Sequence, residues 1–91
     1  MPQISKQKKE KIQEQILHYL FLIAPQPQFT NQISWEIARD EEFTKSLLQE
    51  LAKKDLIVEI KKNHHGEDYK LRRRWRLSNQ AYNIYKKHQI S

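Results

Sequence analysis

The chain has no cysteine, so disulfides and thiolate metal sites are excluded. It holds one glycine, Gly66, in 91 residues and only three prolines. That excludes a glycine-rich phosphate loop, a low-complexity linker and a loop-dominated fold. Long apolar runs are also missing. Ile16 to Ala24 (ILHYLFLIA) follows a lysine-rich start, but Glu10 and Glu14 precede it, His18 interrupts it and no small-residue cleavage pattern follows. It is far too short to span a bilayer and is expected to be a core helix, with no membrane role. Nor is there a nucleophile with a base beside it, so no catalytic activity and no cofactor are expected.

What is present is positive charge. Seventeen Lys and Arg against eleven Asp and Glu give a net +6, which favours anionic partners. A chain of this length is expected to fold as a single domain, burying about 60–65% of its unfolded surface.

Apolar spacing divides the chain. Ser5 can cap a first helix over about 5 to 24, in which Ile12, Ile16, Tyr19, Leu20 and Ile23 recur at helical steps before Pro25 and Pro27 stop it. Phe29 lies in a short extended link. Asn31 or Thr30 can cap a second helix over about 31 to 39, with Ile33, Ile37 and Ala38 on its apolar edge. Asp40 can cap a third over about 41 to 54, with Glu41 and Glu42 in its positive first turn and Lys53 and Lys54 in its last. Phe43, Leu47, Leu48 and Leu51 form its buried stripe.

Asp55 stands where the chain must turn, and aspartate tolerates a left-handed conformation. Residues 56 to 77 then read as two strands around a loop, the first being LIVEI. In the second, Tyr69, Leu71, Trp75 and Leu77 alternate with Lys70, Arg72, Arg74 and Arg76. Ser78 can cap a last helix over about 79 to 88. The expected class is α+β, mostly α.

The order and its signatures resemble the winged-helix family of DNA-binding domains over nearly the whole chain. The resemblance rests on FTNQISWEIARD (29 to 40), on EEFTKSLLQELAKKDLI (41 to 57) and on WRLS (75 to 78) before the final helix. Asp55 departs from the glycine common there. The resemblance implies three helices, a two-stranded wing and a C-terminal helix, with helix 3 in the major groove of double-stranded DNA.

On that reading helix 3 presents Thr44, Lys45, Ser46, Gln49 and Lys53 away from Phe43, Leu48 and Leu51. Lysine can reach guanine or phosphate, glutamine can pair with adenine, and serine or threonine can take either role. Glu41, Glu42 and Glu50 oppose phosphate unless they face away or pair with lysines.

KLRRRWRL, residues 70 to 77, marks the wing. If the loop closes near Gly66, Val58 lies opposite Trp75, Leu56 faces Leu77 and Ile60 faces Arg73, with Glu59 opposite Arg74. An inward Arg73 must either emerge toward a ligand or meet a carboxylate, since burying it unpaired is prohibitive. Arg72, Arg73 and Arg74, with Lys61, Lys62 and His64, then form a surface that grips the phosphate backbone or enters a narrow minor groove. The other reading is an edge strand guarded by charge. Lys6, Lys8, Lys9 and Lys11 make a second basic patch that opposes the dipole of helix 1. It serves either phosphate contact or a frayed, solubilising start. His64 and His65 lack the spacing and third ligand of a closed zinc site, so no metal is expected.

Two functions fit. One is a small transcriptional regulator in the cytoplasm, associated with the nucleoid. Leu17, Phe21, Leu22, Tyr82 and Tyr85 would then either pair helices 1 and 4 in a homodimer or share one core. The other is an interaction module docking on protein or structured RNA.

Overall fold

In a computed structural model the described residues are 5–60 and 73–90. The elements are α1 (Lys6–Ile23), β1 (Gln28–Phe29), α2 (Thr30–Ile37), α3 (Glu41–Lys53), β2 (Ile57–Ile60), β3 (Arg74–Leu77) and α4 (Asn79–Ile90). Local chemistry explains most of the boundaries. Ser5 Oγ accepts from Lys8 N–H at 3.3 Å, Asp40 Oδ2 from Phe43 N–H at 3.1 Å and Ser78 Oγ from Ala81 N–H at 3.1 Å. Each hydroxyl or carboxylate satisfies an orphan donor of a helix start.

The exits of α2 and α3 share one device. Ala38 and Asp55 take φ of 56° and 61°. Arg39 N–H reaches Ser34 O at 3.0 Å and Leu56 N–H reaches Leu51 O at 3.1 Å. These are the long return bonds of a left-handed helix stop, built without glycine. Asp55 thus adopts the left-handed turn expected of it, while Ala38 leaves the helix edge it was expected to occupy.

One apolar cluster holds the elements together: Ile12, Ile16, Leu17 and Leu20 of α1, Ile33 of α2, Leu47, Leu48 and Leu51 of α3, Ile57, Trp75 and Leu77 of the sheet, and Ala81 of α4. Full burial of each large aliphatic contributes roughly 1.5–3 kcal/mol before entropy is counted.

The sheet corrects the sequence reading twice. Phe29 is not in a free link: β1 pairs antiparallel with β3, so the sheet has three strands in the order β1-β3-β2. The register of β2 on β3 is also one residue away from the expected one, with Ile57 opposite Leu77, Val58 opposite Arg76, Glu59 opposite Trp75 and Ile60 opposite Arg74. A one-residue slip exchanges faces. Ile57 is therefore buried and Val58 exposed, and Glu59 rather than Val58 shares the inner face with Trp75.

Neither candidate cap serves α2. Thr30 is already helical and buried, and Gln32 Oε1 accepts the N–H of the preceding Phe29 at 3.0 Å. The Thr30 hydroxyl is committed elsewhere. It accepts the indole N–H of Trp75 at 2.8 Å, while Thr30 N–H donates to Arg73 O at 3.1 Å.

Candidate nucleic-acid interface

The helical period sorts the side chains of α3 into a buried and an exposed row. Thr44, Leu47, Leu48 and Leu51 are buried. Glu42, Ser46, Gln49 and Lys53 are exposed, and their spacing of four, three and four residues places them on one outward stripe. Thr44 does not belong to that stripe. It is fully buried, and its hydroxyl donates to Asp40 O at 2.8 Å, a back-bond that satisfies it inside the core. Leu47 and Leu48 flank it on the helix surface, which is why it turns inward. Lys45 is half-buried on the flank, and Ser46 donates to Phe43 O at 2.6 Å, leaving its oxygen free to accept.

The two flanks of α3 differ. On one side Gln49, Ala52 and Lys53 line a groove of about 350 Å³ with Glu59, Arg73 and Trp75. The wing strands thus stand beside the C-terminal half of the exposed stripe. On the other side Glu50 pairs with Lys9 of α1 at 2.8 Å. That contact removes one of the three acids set against phosphate, and it also engages Lys9. Glu42 remains on the outward stripe, and Glu41 is exposed.

Arg73 meets a carboxylate, one of the two outcomes expected for it. Its Nε lies 3.2 Å from Glu59 Oε2, with the glutamate the more buried partner. Glu59 was expected opposite Arg74; the observed register brings it to the inner face, diagonal to Arg73. Arg74 lies on the outer face with its guanidinium carbon 6.0 Å from the Phe29 ring centroid, and Arg76 Nη1 donates to Leu77 O at 2.9 Å. Lys61, Lys62, His64, Arg72 and the turn at Gly66 lie outside the described residues. Lys6 and Lys8 are exposed at the start of α1.

The α1–α4 seam is largely internal. Leu17 is in the core, and Phe21 packs on Tyr82 and Tyr85 with ring centroids 5.4 and 5.6 Å apart. Tyr85 donates to Glu14 Oε2 at 3.0 Å; burial first, then this bond and the carboxylate charge, push its hydroxyl up to about 12. Partial burial, then the charge of Glu36, raises Tyr19 as well. Leu22 and Ile84 stay exposed at 63% and 45%.

Trp35 on α2 was not singled out in the sequence, and it is 87% exposed. Its neighbours Asn31, Gln32 and Glu36 in the exposed positions carry the only sequence signal: the apolar edge of α2 runs through Ile33 and Ile37 and bypasses it.

Among the described residues no helix is long and apolar enough to cross a membrane, and no three His, Asp or Glu converge on a metal-sized site.

No protein-family model and no curated protein sequence matches the chain. Solved structures do. The MepR–DNA complex of S. aureus superposes with a TM-score of 0.70 at 20% identity, over 91% of this chain and 68% of that one. MepR of Staphylococcus aureus, described as a transcription regulator of the multidrug efflux pump MepA, gives 0.67 at 22% identity, over 91% and 61%. A double mutant of Lactococcus lactis ZitR in apo form gives 0.63 at 19% identity, over 92% and 61%. The chain spans as little as 53% of another MepR structure. At such identities the likeness establishes the fold, which is that of the winged-helix regulators.

Proposed function

We propose that this chain binds double-stranded DNA as a small transcriptional regulator, with α3 in the major groove and the wing against the flanking backbone. The observation that carries this reading is the outward stripe of α3. Ser46, Gln49 and Lys53 supply acceptor, amide and cation at helical spacing, beside a wing strand bearing Arg73 and Arg74. Those are the side-chain types that read base edges and hold phosphate. The likeness to MepR, one structure of which is a DNA complex, supports it.

In this reading Gln49 and Lys45 contact bases, Ser46 accepts from a base or bonds phosphate, and Lys53 joins Arg73 and Arg74 on the backbone. Thr44 positions the helix from inside. Lys61, Lys62, His64 and Arg72 extend the wing, and Lys6 and Lys8 hold backbone at the start of α1, where Lys9 joins them only on release from Glu50. A homodimer would use the exposed Leu22 of α1 and Ile84 of α4, since the other aromatic and leucine side chains of that seam fill the chain's own core. Such a regulator would reside with the nucleoid in the cytoplasm.

The test pairs Gln49→Ala with Lys53→Ala in binding assays on a duplex selected from a random pool. Gln49→Ala should erase the preference for the selected sequence, while Lys53→Ala should weaken all duplexes alike. Equal, sequence-blind losses in both variants would overturn the assignment of α3 as the reading helix.

A docking module is the second reading. Trp35 favours it, because tryptophan on an exposed helix face is a frequent energetic centre of protein interfaces. A partner lost on Trp35→Ala, with duplex binding absent in the wild type, would favour that reading over DNA.

A further inference from the structure

The basic start of α1 is divided by the fold. Lys9 turns toward α3 and is held by Glu50 at 2.8 Å. Lys8, Lys11 and Gln15 follow one another at three- and four-residue steps and so share a different flank of α1. They face the turn between α2 and α3. Together with Ile12 and Arg39, they line a cleft of about 560 Å³. Lys8, Lys11, Gln15 and Arg39 are all exposed, with Ile12 as the buried floor.

Three cations from two distant segments thus surround one cleft with no carboxylate among its lining residues. Glu10 and Glu14 line the neighbouring groove on the other side of Lys8 and Lys11, where Glu14 is bonded to Tyr85. Among the described residues none of the three cations enters an ion pair. Gathering like charges costs folding free energy through mutual repulsion, and among the described residues no ion pair offsets it.

We infer that the cleft of Lys8, Lys11 and Arg39 is a second backbone-phosphate clamp for duplex DNA. The inference rests on the DNA-binding reading above and deepens its contact at the start of α1, joining Lys11 and Arg39 to Lys8 in one built cleft. The placement follows from the two flanks of α3. The wing groove reaches α3 at Gln49, Ala52 and Lys53, whereas α1 reaches it at Glu50, on the other side of the outward stripe and about 160° around the helix from Ala52. A duplex whose major groove, about 12 Å wide, receives α3 presents a phosphate strand on each side. The wing meets one strand. Lys8, Lys11 and Arg39 meet the other, with Gln15 as a neutral hydrogen-bond donor. Arg39 supplies the planar fork suited to a phosphate, and the lysines act as point charges.

The experiment compares wild type with the triple variant Lys8→Gln, Lys11→Gln, Arg39→Gln and with a control, Lys86→Gln, Lys87→Gln, on the exposed end of α4. Affinity for random and selected duplexes is followed against salt, with circular dichroism to confirm folding. The triple variant should lower the magnitude of the slope of log affinity on log salt by about 1–2 and weaken every duplex at least tenfold, with the selected-to-random ratio unchanged. The control should keep the wild-type slope. A wild-type slope in the triple variant, while wild type binds duplex steeply, overturns the clamp and leaves the DNA reading intact. No duplex binding by wild type overturns both. Inorganic phosphate is the remaining probe: if it shifts the Arg39 side-chain resonance while duplex does not, the cleft takes small anions and the clamp is overturned.

Discussion

The indole N–H of Trp75 donates to the hydroxyl of Thr30 across 2.8 Å, joining the central strand of the wing sheet to the first residue of α2. Trp75 is fully buried, so Thr30 is the acceptor that makes its burial tolerable. The same threonine takes the Arg73 carbonyl through its N–H. Wing and helix-turn-helix are therefore one mechanical unit: β3 cannot tilt without breaking bonds to α2.

Thr30→Val keeps the shape but leaves the indole N–H without its acceptor. The variant should lose about 1–3 kcal/mol in urea unfolding, and Thr30→Ser clearly less. Equal stabilities for valine and threonine would show that the bond does not anchor the sheet.

The two tryptophans offer an optical separation, Trp35 being 87% exposed and Trp75 buried. Trp35→Phe should remove the red-shifted, iodide-quenched emission and change stability by no more than about 0.5 kcal/mol. The blue emission that remains should belong to Trp75. Strong quenching of that residual emission would contradict the buried position of β3.

Tyr85 gives a prediction in alkali. Its hydroxyl is pushed from 10.0 up to about 12 by burial first and by Glu14 second. A tyrosine whose folded pKa lies above its unfolded one contributes stability that is fully present below pH 10. That contribution is lost as pH rises through about 12. Following phenolate absorbance, Tyr85 should ionise late among the four tyrosines, and Tyr85→Phe should delete that late step. A late step that survives Tyr85→Phe would refute the assignment.

Glu59 restrains the wing. Held 3.2 Å from Arg73, it neutralises part of the cation that lines the groove beside Gln49 and Lys53. Glu59→Gln should tighten binding to all duplexes by about two- to fivefold at moderate salt, the scale of one partly exposed charge pair. Weaker binding would mean that the glutamate orients Arg73 rather than masking it.

Much of the fold was legible because it rests on local rules. Ser5, Asp40 and Ser78 cap the helices they precede, and Asp55 turns left-handed where a turn was needed. Pairing was less legible. Two residues, Gln28 and Phe29, are too few to show strand alternation, so β1 was read as a link. The wing register was set against the position of the loop, and nothing in LIVEI by itself distinguishes one phase from the next: Leu56, Val58 and Ile60 are as apolar as Ile57. The three-dimensional fit decided it, by placing Ile57 over the helices and Glu59 against Arg73. At the candidate site the outward Ser46, Gln49 and Lys53 followed from the helical period. Thr44 did not, because a hydroxyl that bonds back to its own helix looks polar in sequence and behaves as core.

The central claim is that α3 reads bases while basic side chains hold the backbone. The most direct measurement is the affinity for labelled duplex DNA, random and pool-selected, as a function of salt. With about five to seven phosphates neutralised, log affinity should fall against log salt with a slope of about −4.5 to −6. A selected sequence should bind roughly a thousandfold more tightly than random DNA. A shallow slope with no sequence selected from the pool would contradict the account.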